Sequence, residues 1–513
     1  MKLSAIIQGT GARLSPDLLR PAERGSGGGG ELGADPDIAL VTGDSREVVP
    51  GSIFFALPGS ARDGHDFVPE AVRRGAVAIV AEREVPAAPA RLLLAPSARH
   101  AMAMAAANFH GRPGDALLLA GVTGTNGKTT VAWLVDACAR AAGVPAAMLG
   151  TVVHRWPGVE RRAAHTTPES TAIQAMLAEA RAAGARAAVL EVSSHALAQE
   201  RVAGMRFRAA AFTNLTRDHL DYHGDMDRYF AAKRRLFHEH LAPDGTAIVN
   251  VRDPWGARLA DQLGPGRRLW RYGGRTEDEL GAEEVVAGLS GIAATLRTPA
   301  GPVAFRSPLV GAHNVENLLC AAGVALALGL PPAAVARGLS ESRGAPGRLE
   351  RFSARGVSVF VDYAHTDDAL ARALETLRAL APRRLVCVFG CGGDRDRGKR
   401  PLMGEVAGRG ADLVIVTNDN PRSEDPLAII GEIVPGLERA GRRRLSASQL
   451  CLDERGYAVE PDRRSAIALA VAAAREGDAV LVAGKGHEEM QVLGREALPF
   501  SDRDEARRAL GIP

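Results

Sequence analysis

The chain lacks any run of about 18 consecutive apolar residues, so no membrane-spanning helix is expected. Its opening stretch, MKLSAIIQGTGARL, holds no long apolar segment, so secretion is not expected and a cytoplasmic protein is. An excess of one charge is also missing, since 63 Lys and Arg stand against 60 Asp and Glu, a net of +3. That balance argues against nucleic acid or an anionic membrane as the main partner. Cysteine is scarce. Cys138, Cys320, Cys387, Cys391 and Cys451 form no CxxC pair and mostly sit in apolar runs, which points to reduced structural thiols. No internal repeat is visible. Nothing in the composition specifies an oligomer, and a monomer is expected.

Hydrophobic residues make up 46% of the 513, enough for ordinary buried cores. At roughly 100–200 residues per domain the length predicts about three domains. The first, 1–112, holds SIFFALPG (Ser52 to Gly59), an apolar strand closed by a Pro-Gly turn. After it come a helix and a strand over 68–80 and a helical stretch over 97–109. GSGGGG, Gly25 to Gly30, reads as a flexible loop. Gly111-Arg112-Pro113-Gly114 marks the boundary. The second domain, 113–344, has strands over 116–122, 187–192, 209–215 and 247–250. The third, 345–513, has strands over 357–363, 384–390, 412–417 and 479–484. Strands alternating with helices predict an α/β protein with mostly parallel sheets.

The strand ALLLAGV runs into Gly124-Thr125-Asn126-Gly127-Lys128-Thr129-Thr130 and then into an apolar helix. Strand, glycine loop and helix together are the context of a phosphate-binding loop. Gly124 and Gly127 let backbone N–H groups approach phosphate oxygens. The helix N-terminus presents positive charge to the same anion. Lys128 would reach the outer phosphates and Thr129 would ligate Mg²⁺. The strict GxxxxGK[ST] pattern fails, because Val122 stands where its first glycine belongs. A kinase or a GTPase uses similar parts, but no NKxD guanine motif is present.

Glu191 ends the strand 187–192 and enters EVSSH. Ligands of α/β sheets bind beyond the carboxyl ends of strands, so Glu191 is placed to hold Mg²⁺ beside the loop. The next strand leads to TNLTRDHLDYHG, which brings His219 to the same edge. Alone, either residue is more often structural than functional. Met226, Phe230, Lys233 and Phe237 recur at helical spacing, so Lys233 lies on an apolar face. On position alone, the ordinary reading is a lysine that snorkels to water.

These motifs resemble the Mur ligase family, which also contains folylpolyglutamate synthetases. Its members phosphorylate a carboxylate with ATP, and an amine then attacks the acyl phosphate. The resemblance implies a UDP-binding N-terminal α/β domain, a central P-loop ATPase domain and a Rossmann-like C-terminal domain. It implies that Lys128 is catalytic and that Thr129, Glu191 and His219 bind magnesium, with two ions expected. It implies that Lys233 is carbamylated, so that it becomes an anion able to bridge to the second Mg²⁺. Asn314 and Asn317 in AHNVENLL, Arg348 in GRLE and Asp362 in VDYAH match the remaining ATP-site residues. This chain has Asp367 where relatives have a helix-start proline, which removes no functional side chain.

The likeness is greatest to the diaminopimelate-adding members and runs from about Asp44 to Asp504. It implies that Gly43, Ser45 and the turn Ser60-Ala61-Arg62 touch a UDP-sugar. His165, Thr166 and Thr167 of HTTPES, with Ser193, Gln199 and Arg201, would hold the peptide of UDP-N-acetylmuramoyl-L-alanyl-D-glutamate. Some relatives have Asn where this chain has His165. Asp419-Asn420-Pro421-Arg422 comes directly after the strand 412–417 and matches the family's meso-2,6-diaminopimelate motif. Arg395, Gly484 and Glu488 match the other contacts, and Met490 replaces a common tyrosine. The chemistry agrees. The far end of diaminopimelate is a zwitterion that Arg422 can grip with two parallel hydrogen bonds, whereas lysine ends in a cation only. The alternatives are the same chemistry with L-lysine or another amine, a folate-type ligase, and a nucleotide-binding regulator without turnover. DSR and DGHDF speak against the folate type, and the intact Lys128, Glu191, His219 and Lys233 set against the regulator.

Overall fold

The computed structural model describes residues 1–14, 35–59, 62–274, 277–451 and 455–512. The Gly25–Gly30 segment, Ser60 and Ala61 lie outside the described residues. Two compact units are formed: Met1–Leu280 with Cys320–Val335, and Gly281–Leu319 with Ala336–Pro513.

The first unit begins with a five-stranded sheet. Leu40–Thr42, Ser52–Phe55, Ala78–Ala81 and Arg91–Leu94 run parallel, and Arg13–Leu14 pairs antiparallel at the edge. All four side chains of Ser52–Phe55 are buried, as the run SIFF predicts. Ser97 caps the helix Ala98–Phe109 by accepting a hydrogen bond from His100 N at 3.1 Å, and alanines on that helix pack close to the sheet.

The same unit holds an eight-stranded sheet. Its order is Arg268–Tyr272, Leu241–Asn250, Phe207–Phe212, Leu118–Thr123, Ala187–Glu191, Ala146–Leu149, Val153–Trp156, Val159–Arg162. The first six are parallel, and helices cover them, so their sequences read as continuous apolar runs. The last two form an antiparallel hairpin that periodicity did not reveal. Its outer strand exposes Glu160, Arg161 and Arg162, which blunts the sheet edge. The core gathers Phe207, Phe212 and Phe237, each worth about 1.5–3 kcal/mol when buried. Gly121 sits in the P-loop strand where a Cβ would lie 3.1 Å from Phe207 and Leu236 side-chain atoms. The strand carrying the phosphate loop therefore lies between the strand that ends in Glu191 and the strand that leads to His219.

The second unit holds a three-stranded antiparallel sheet, Gly281–Gly288, Gly291–Arg297 and Val303–Ser307. Its main sheet has the order Glu350–Ala354, Val357–Asp362, Ala479–Ala483, Leu385–Phe389, Leu413–Val416, Gly456–Val459. All pairs are parallel except the first. Separate apolar clusters cover its two faces, the arrangement expected of a Rossmann-like domain. Thr366 caps the helix Asp367–Arg378, and Asp367 and Asp368 fill its first turn, so acidic charge at the helix N-terminus serves in place of the proline. The five cysteines are free, four of them buried. Among the described residues no helix is long and apolar enough to cross a membrane.

Candidate active site

The phosphate loop starts where Leu118–Thr123 leaves the sheet. Gly124 has φ +147°, and a Cβ there would lie 1.9 Å from Thr213 Oγ1, so only glycine fits. The loop is pinned to the neighbouring strand end. Thr125 N donates to Asn214 O at 2.8 Å and Asn126 N to Asn214 Oδ1 at 2.9 Å. Helix Lys128–Ala141 begins at Gly127 with no side-chain cap, which leaves its first N–H groups directed at the loop. Lys128 Nζ donates to Gly124 O and Thr125 O, both at 2.9 Å, and Thr129 and Thr130 are half-buried in the first helical turn.

Glu191 is buried at the end of its strand. Its carboxylate accepts from Thr129 Oγ1 at 2.8 Å, from Thr151 N at 2.8 Å and from Thr151 Oγ1 at 2.9 Å. A carboxylate and a hydroxyl oxygen on the P-loop helix are thus in contact, and hard oxygens of this kind suit Mg²⁺. Among the described residues no three His, Cys, Asp or Glu side chains gather into a metal cluster.

Lys233 lies in the helix Met226–Arg235 and is only 1% exposed. The snorkelling expected from position alone is corrected: Nζ points inward, donates to Gly124 O at 2.7 Å and sits 4.7 Å over the Tyr229 ring. Burial first, and the nearby Lys128 charge second, push its amine well below the ordinary lysine range. Lys128 and Lys233 both donate to the Gly124 carbonyl, which brings the two amines close together. The Tyr229 ring joins this group together. Its OH lies 3.2 Å from Thr125 Oγ1, and the His219 ring stands edge-on to it at 6.0 Å. His219 itself, at φ +53° and half-exposed, packs 4.8 Å from the His195 ring.

The residues matched to the peptide substrate also converge here. Thr166 Oγ1 lies 3.1 Å from Thr151 Oγ1, and Thr167 Oγ1 donates to Glu191 O at 2.7 Å. Ser193 N donates to Thr167 Oγ1 at 3.0 Å. Arg201 donates to Thr167 O at 2.7 Å and to Gln199 Oε1 at 2.7 Å, and it pairs with Glu169 at 2.7 Å. His165 is exposed beside them. A separate cavity of about 540 Å³ in the N-terminal sheet region is lined by Gly43, Ser45 and Arg62, with Arg46, Phe67 and Glu70.

In the second unit Asn317 Nδ2 donates to Asn314 Oδ1 at 2.8 Å, so the two asparagines orient each other. Arg348 lies 5.3 Å over the Tyr363 ring. Asp362 accepts from Leu349 N at 2.7 Å and Ala364 N at 2.9 Å, and burial raises its pKa. Another group forms at the carboxyl ends of Leu413–Val416 and Ala479–Ala483. Asn420 donates to Glu488 Oε2 at 3.0 Å and accepts from Lys485 Nζ at 3.0 Å. Gly484, at φ +122°, leaves room for Asp419, whose Oδ2 would lie 2.4 Å from a Cβ there. Arg422 donates to Gly393 O at 2.7 Å, Gly393 is held against Pro421, and Arg395 is exposed on the same loop. Burial opposes charge on Glu488, but the Lys485 ammonium at 3.0 Å holds its carboxyl below the ordinary value.

Four residues escaped sequence reasoning. Thr151, with Gly150, comes after the strand next to that of Glu191, and that shared edge was the available signal. Lys485 was visible only as part of GKGHEE, and Tyr229 only as a core aromatic. Gly150 makes a test. A Cβ there would lie 2.3 Å from Glu191 Oε1. Gly150→Ala is expected to displace the carboxylate and lose about 1–3 kcal/mol in urea unfolding, with a fall in turnover. Wild-type stability and rate together would remove Glu191 from the centre of the site.

Three family models match the chain. "Mur ligase family, catalytic domain" covers residues 37–110, "Mur ligase middle domain" 122–325 and "Mur ligase, glutamate ligase domain" 347–486. The chain is similar to the UDP-N-acetylmuramoyl-L-alanyl-D-glutamate–2,6-diaminopimelate ligase of Geobacter metallireducens, 49% identical over 481 residues, covering 91% of this chain and 93% of that protein. The ligase of the same name from Parasynechococcus marenigrum is 49% identical over 493 residues, with 93% and 95% covered. A solved structure of a ligase of that name superposes with a TM-score of 0.71 at 34% identity, covering 94% of this chain and 97% of the other. The MurF ligase of Thermotoga maritima in complex with ADP shares the fold at 19% identity, with a TM-score of 0.56 and coverage of 92% and 97%.

Proposed function

The chain belongs to the Mur ligase family, and we propose that it couples ATP cleavage to joining meso-2,6-diaminopimelate to UDP-N-acetylmuramoyl-L-alanyl-D-glutamate, a step of peptidoglycan precursor synthesis. The Geobacter and Parasynechococcus ligases support that substrate pair. The observation that carries the choice of amine is the loop Asp419–Arg422, where a guanidinium stands on the same loop pair as the Asn420–Glu488–Lys485 group. One part offers donors to a carboxylate and the other offers a carboxylate to an ammonium, which is the pattern of a zwitterion.

The D-Glu γ-carboxylate attacks the γ-phosphorus of ATP, which gives an acyl phosphate and ADP. The Gly124–Gly127 amides and the Lys128 ammonium bind the phosphates and balance the charge that develops. Thr129, Glu191, His219 and a carbamylated Lys233 would hold Mg²⁺, which supplies positive charge to the phosphoryl oxygens. Thr166, Thr167, Ser193, Gln199 and Arg201 orient the peptide, while Gly43, Ser45, Ser60, Ala61 and Arg62 take the uridine nucleotide. By the family match, Asn314, Asn317, Arg348 and Asp362 are also assigned to ATP. Arg395, Asp419, Asn420, Pro421, Arg422, Gly484 and Glu488 hold diaminopimelate, whose free amine displaces phosphate from the acyl carbon. On this reading the three domains are residues 1–112, which take the uridine nucleotide, 113–344, which carry the phosphate loop and the peptide contacts, and 345–513, which receive the amino acid, and the reaction runs in the cytoplasm on a monomer.

Amino-acid-dependent phosphate release tests the proposal. With ATP and the UDP-dipeptide present, meso-diaminopimelate is expected to stimulate release strongly and L-lysine hardly at all. Stimulation by lysine alone would sink the choice of amine. ATP binding without turnover, in the presence of all three substrates, would sink the ligase.

A further inference from the structure

Arg422 holds an unusual position for a side chain that must be aimed. Its φ is +53°, its N donates to Val492 O at 3.1 Å, and its O accepts from Gly494 N at 2.8 Å. The guanidinium is oriented by Gly393 O at 2.7 Å. The aim of Arg422 therefore depends on where the loop of Gly392, Gly393 and Asp394 stands. That loop touches the Arg422 loop closely, since Gly393 N donates to Asn420 O at 2.9 Å and a Cβ on Gly393 would lie 1.8 Å from Pro421 O.

Polar side chains join the two loops. Asp394, also at φ +53°, accepts from Ser423 Oγ at 2.6 Å and Ser423 N at 3.2 Å, and its own N donates to Glu424 Oε1 at 2.6 Å. Glu424 is gripped in turn by Arg400, Nη2 to Oε1 at 2.7 Å and Nη1 to Oε2 at 2.9 Å. Arg400 has no solvent exposure. It also reaches Glu432 Oε2 at 2.8 Å and Gly392 O at 3.4 Å. A guanidinium holding a carboxylate with two parallel bonds fixes direction as well as distance. The hydrogen bonds of Arg400 hold the Glu424 carboxyl down to about 2, so the grip persists at neutral pH.

We propose that Arg400 and Glu424 are positioning residues: they clamp the 392–395 loop to the 419–424 loop, aim Arg422 and Arg395, and so set the preference for an amino acid with a second carboxylate. Both act through the loops, since the buried Arg400 guanidinium is bonded to Glu424, Glu432 and Gly392 O. The inference rests on diaminopimelate being the amine that the 419–422 loop receives. Without the clamp, Gly393 O drifts from Arg422, and a carboxylate loses its bidentate partner before any catalytic group is disturbed.

The test is Glu424→Gln with each substrate varied in turn. One amide nitrogen replaces an acceptor that Arg400 needs, while shape is kept. The KM for meso-diaminopimelate is expected to rise about tenfold, with the KM values for ATP and the UDP-dipeptide within about twofold of wild type. The ratio of kcat/KM for diaminopimelate over lysine falls with it. Should Glu424→Gln fail to fold, Ser423→Ala removes an exposed member of the same joint and is expected to raise the same KM about threefold. An unchanged amino-acid KM in a folded variant overturns the proposal, as does a parallel rise in all three KM values. Wild-type protein that ignores diaminopimelate overturns the assigned function instead, so the two failures are distinct.

Discussion

Lys128→Ala is expected to lower kcat about 10³-fold, or about 4 kcal/mol of transition-state stabilisation, while the protein stays folded. The side chain is half-buried and its ammonium caps Gly124 O and Thr125 O, so its removal leaves no orphaned buried charge. The loop keeps its shape through Thr213, Asn214 and the glycines at positive φ. What is lost is the loop's ammonium, placed to offset charge that develops from the bridging oxygen onto the leaving ADP. Lys128→Arg is not expected to restore the rate, because a planar fork does not fit where a point charge sits between two carbonyls. Single-turnover measurement of acyl phosphate or ADP formation checks this. A folded Lys128→Ala protein within about tenfold of wild type would remove Lys128 from the chemistry.

Lys233→Ala is expected to lose at least about 10²-fold in activity and to regain part of it with formate or acetate. The amine of Lys233 is buried, its pKa is lowered first by that burial and then by Lys128, and it donates to a carbonyl that already serves Lys128. A neutral amine attacks the carbon of CO₂, forms an N–C bond and releases one proton. On the proposed reading, the product is an anion that would add to the Thr129 hydroxyl, the Glu191 carboxylate and the His219 imidazole as a donor for Mg²⁺. Wild-type enzyme in CO₂-free buffer should lose activity and recover with bicarbonate, and native mass should show one added CO₂. The pH dependence has a definite sign. Between the lowered folded value and the ordinary unfolded one, the unfolded chain binds more protons, so stability rises with pH. Lys233→Met should flatten that rise in urea unfolding. Unmodified mass, with no effect of bicarbonate and no rescue by short acids, would rule out the carbamate.

Much of this site was legible because its atoms come from contiguous runs. GTNGKTT is seven residues whose backbone geometry is local, and glycine at φ +147° announces itself by composition. Glu191 and the Asp419–Arg422 loop were readable because parallel strands are apolar until they end, and the residues just past a strand's carboxyl end lie at the binding edge. The hairpin 153–162 and the sheet 281–307 were not picked out in the sequence, although Val303–Ser307 alternates buried and exposed residues. Thr151 was missed for another reason: its bond to Glu191 spans 40 residues, and a lone threonine after a strand has no pattern.

By itself the sequence determined the glycine loop, the acidic strand end, the polar turn after strand 412–417 and the α/β class, all of which obey local backbone rules, while the family resemblance supplied the roles expected of them. Helical spacing placed Lys233 on an apolar face, but spacing cannot say whether such a face meets water at its rim. Only the tertiary structure decided that, by bringing Gly124 O and the Tyr229 ring over the amine and closing it from solvent. It also decided the Arg400–Glu424 clamp, whose partners lie 24 residues apart. A buried charge is tolerable only beside its counter-charge, and that pairing exists only once the chain has folded.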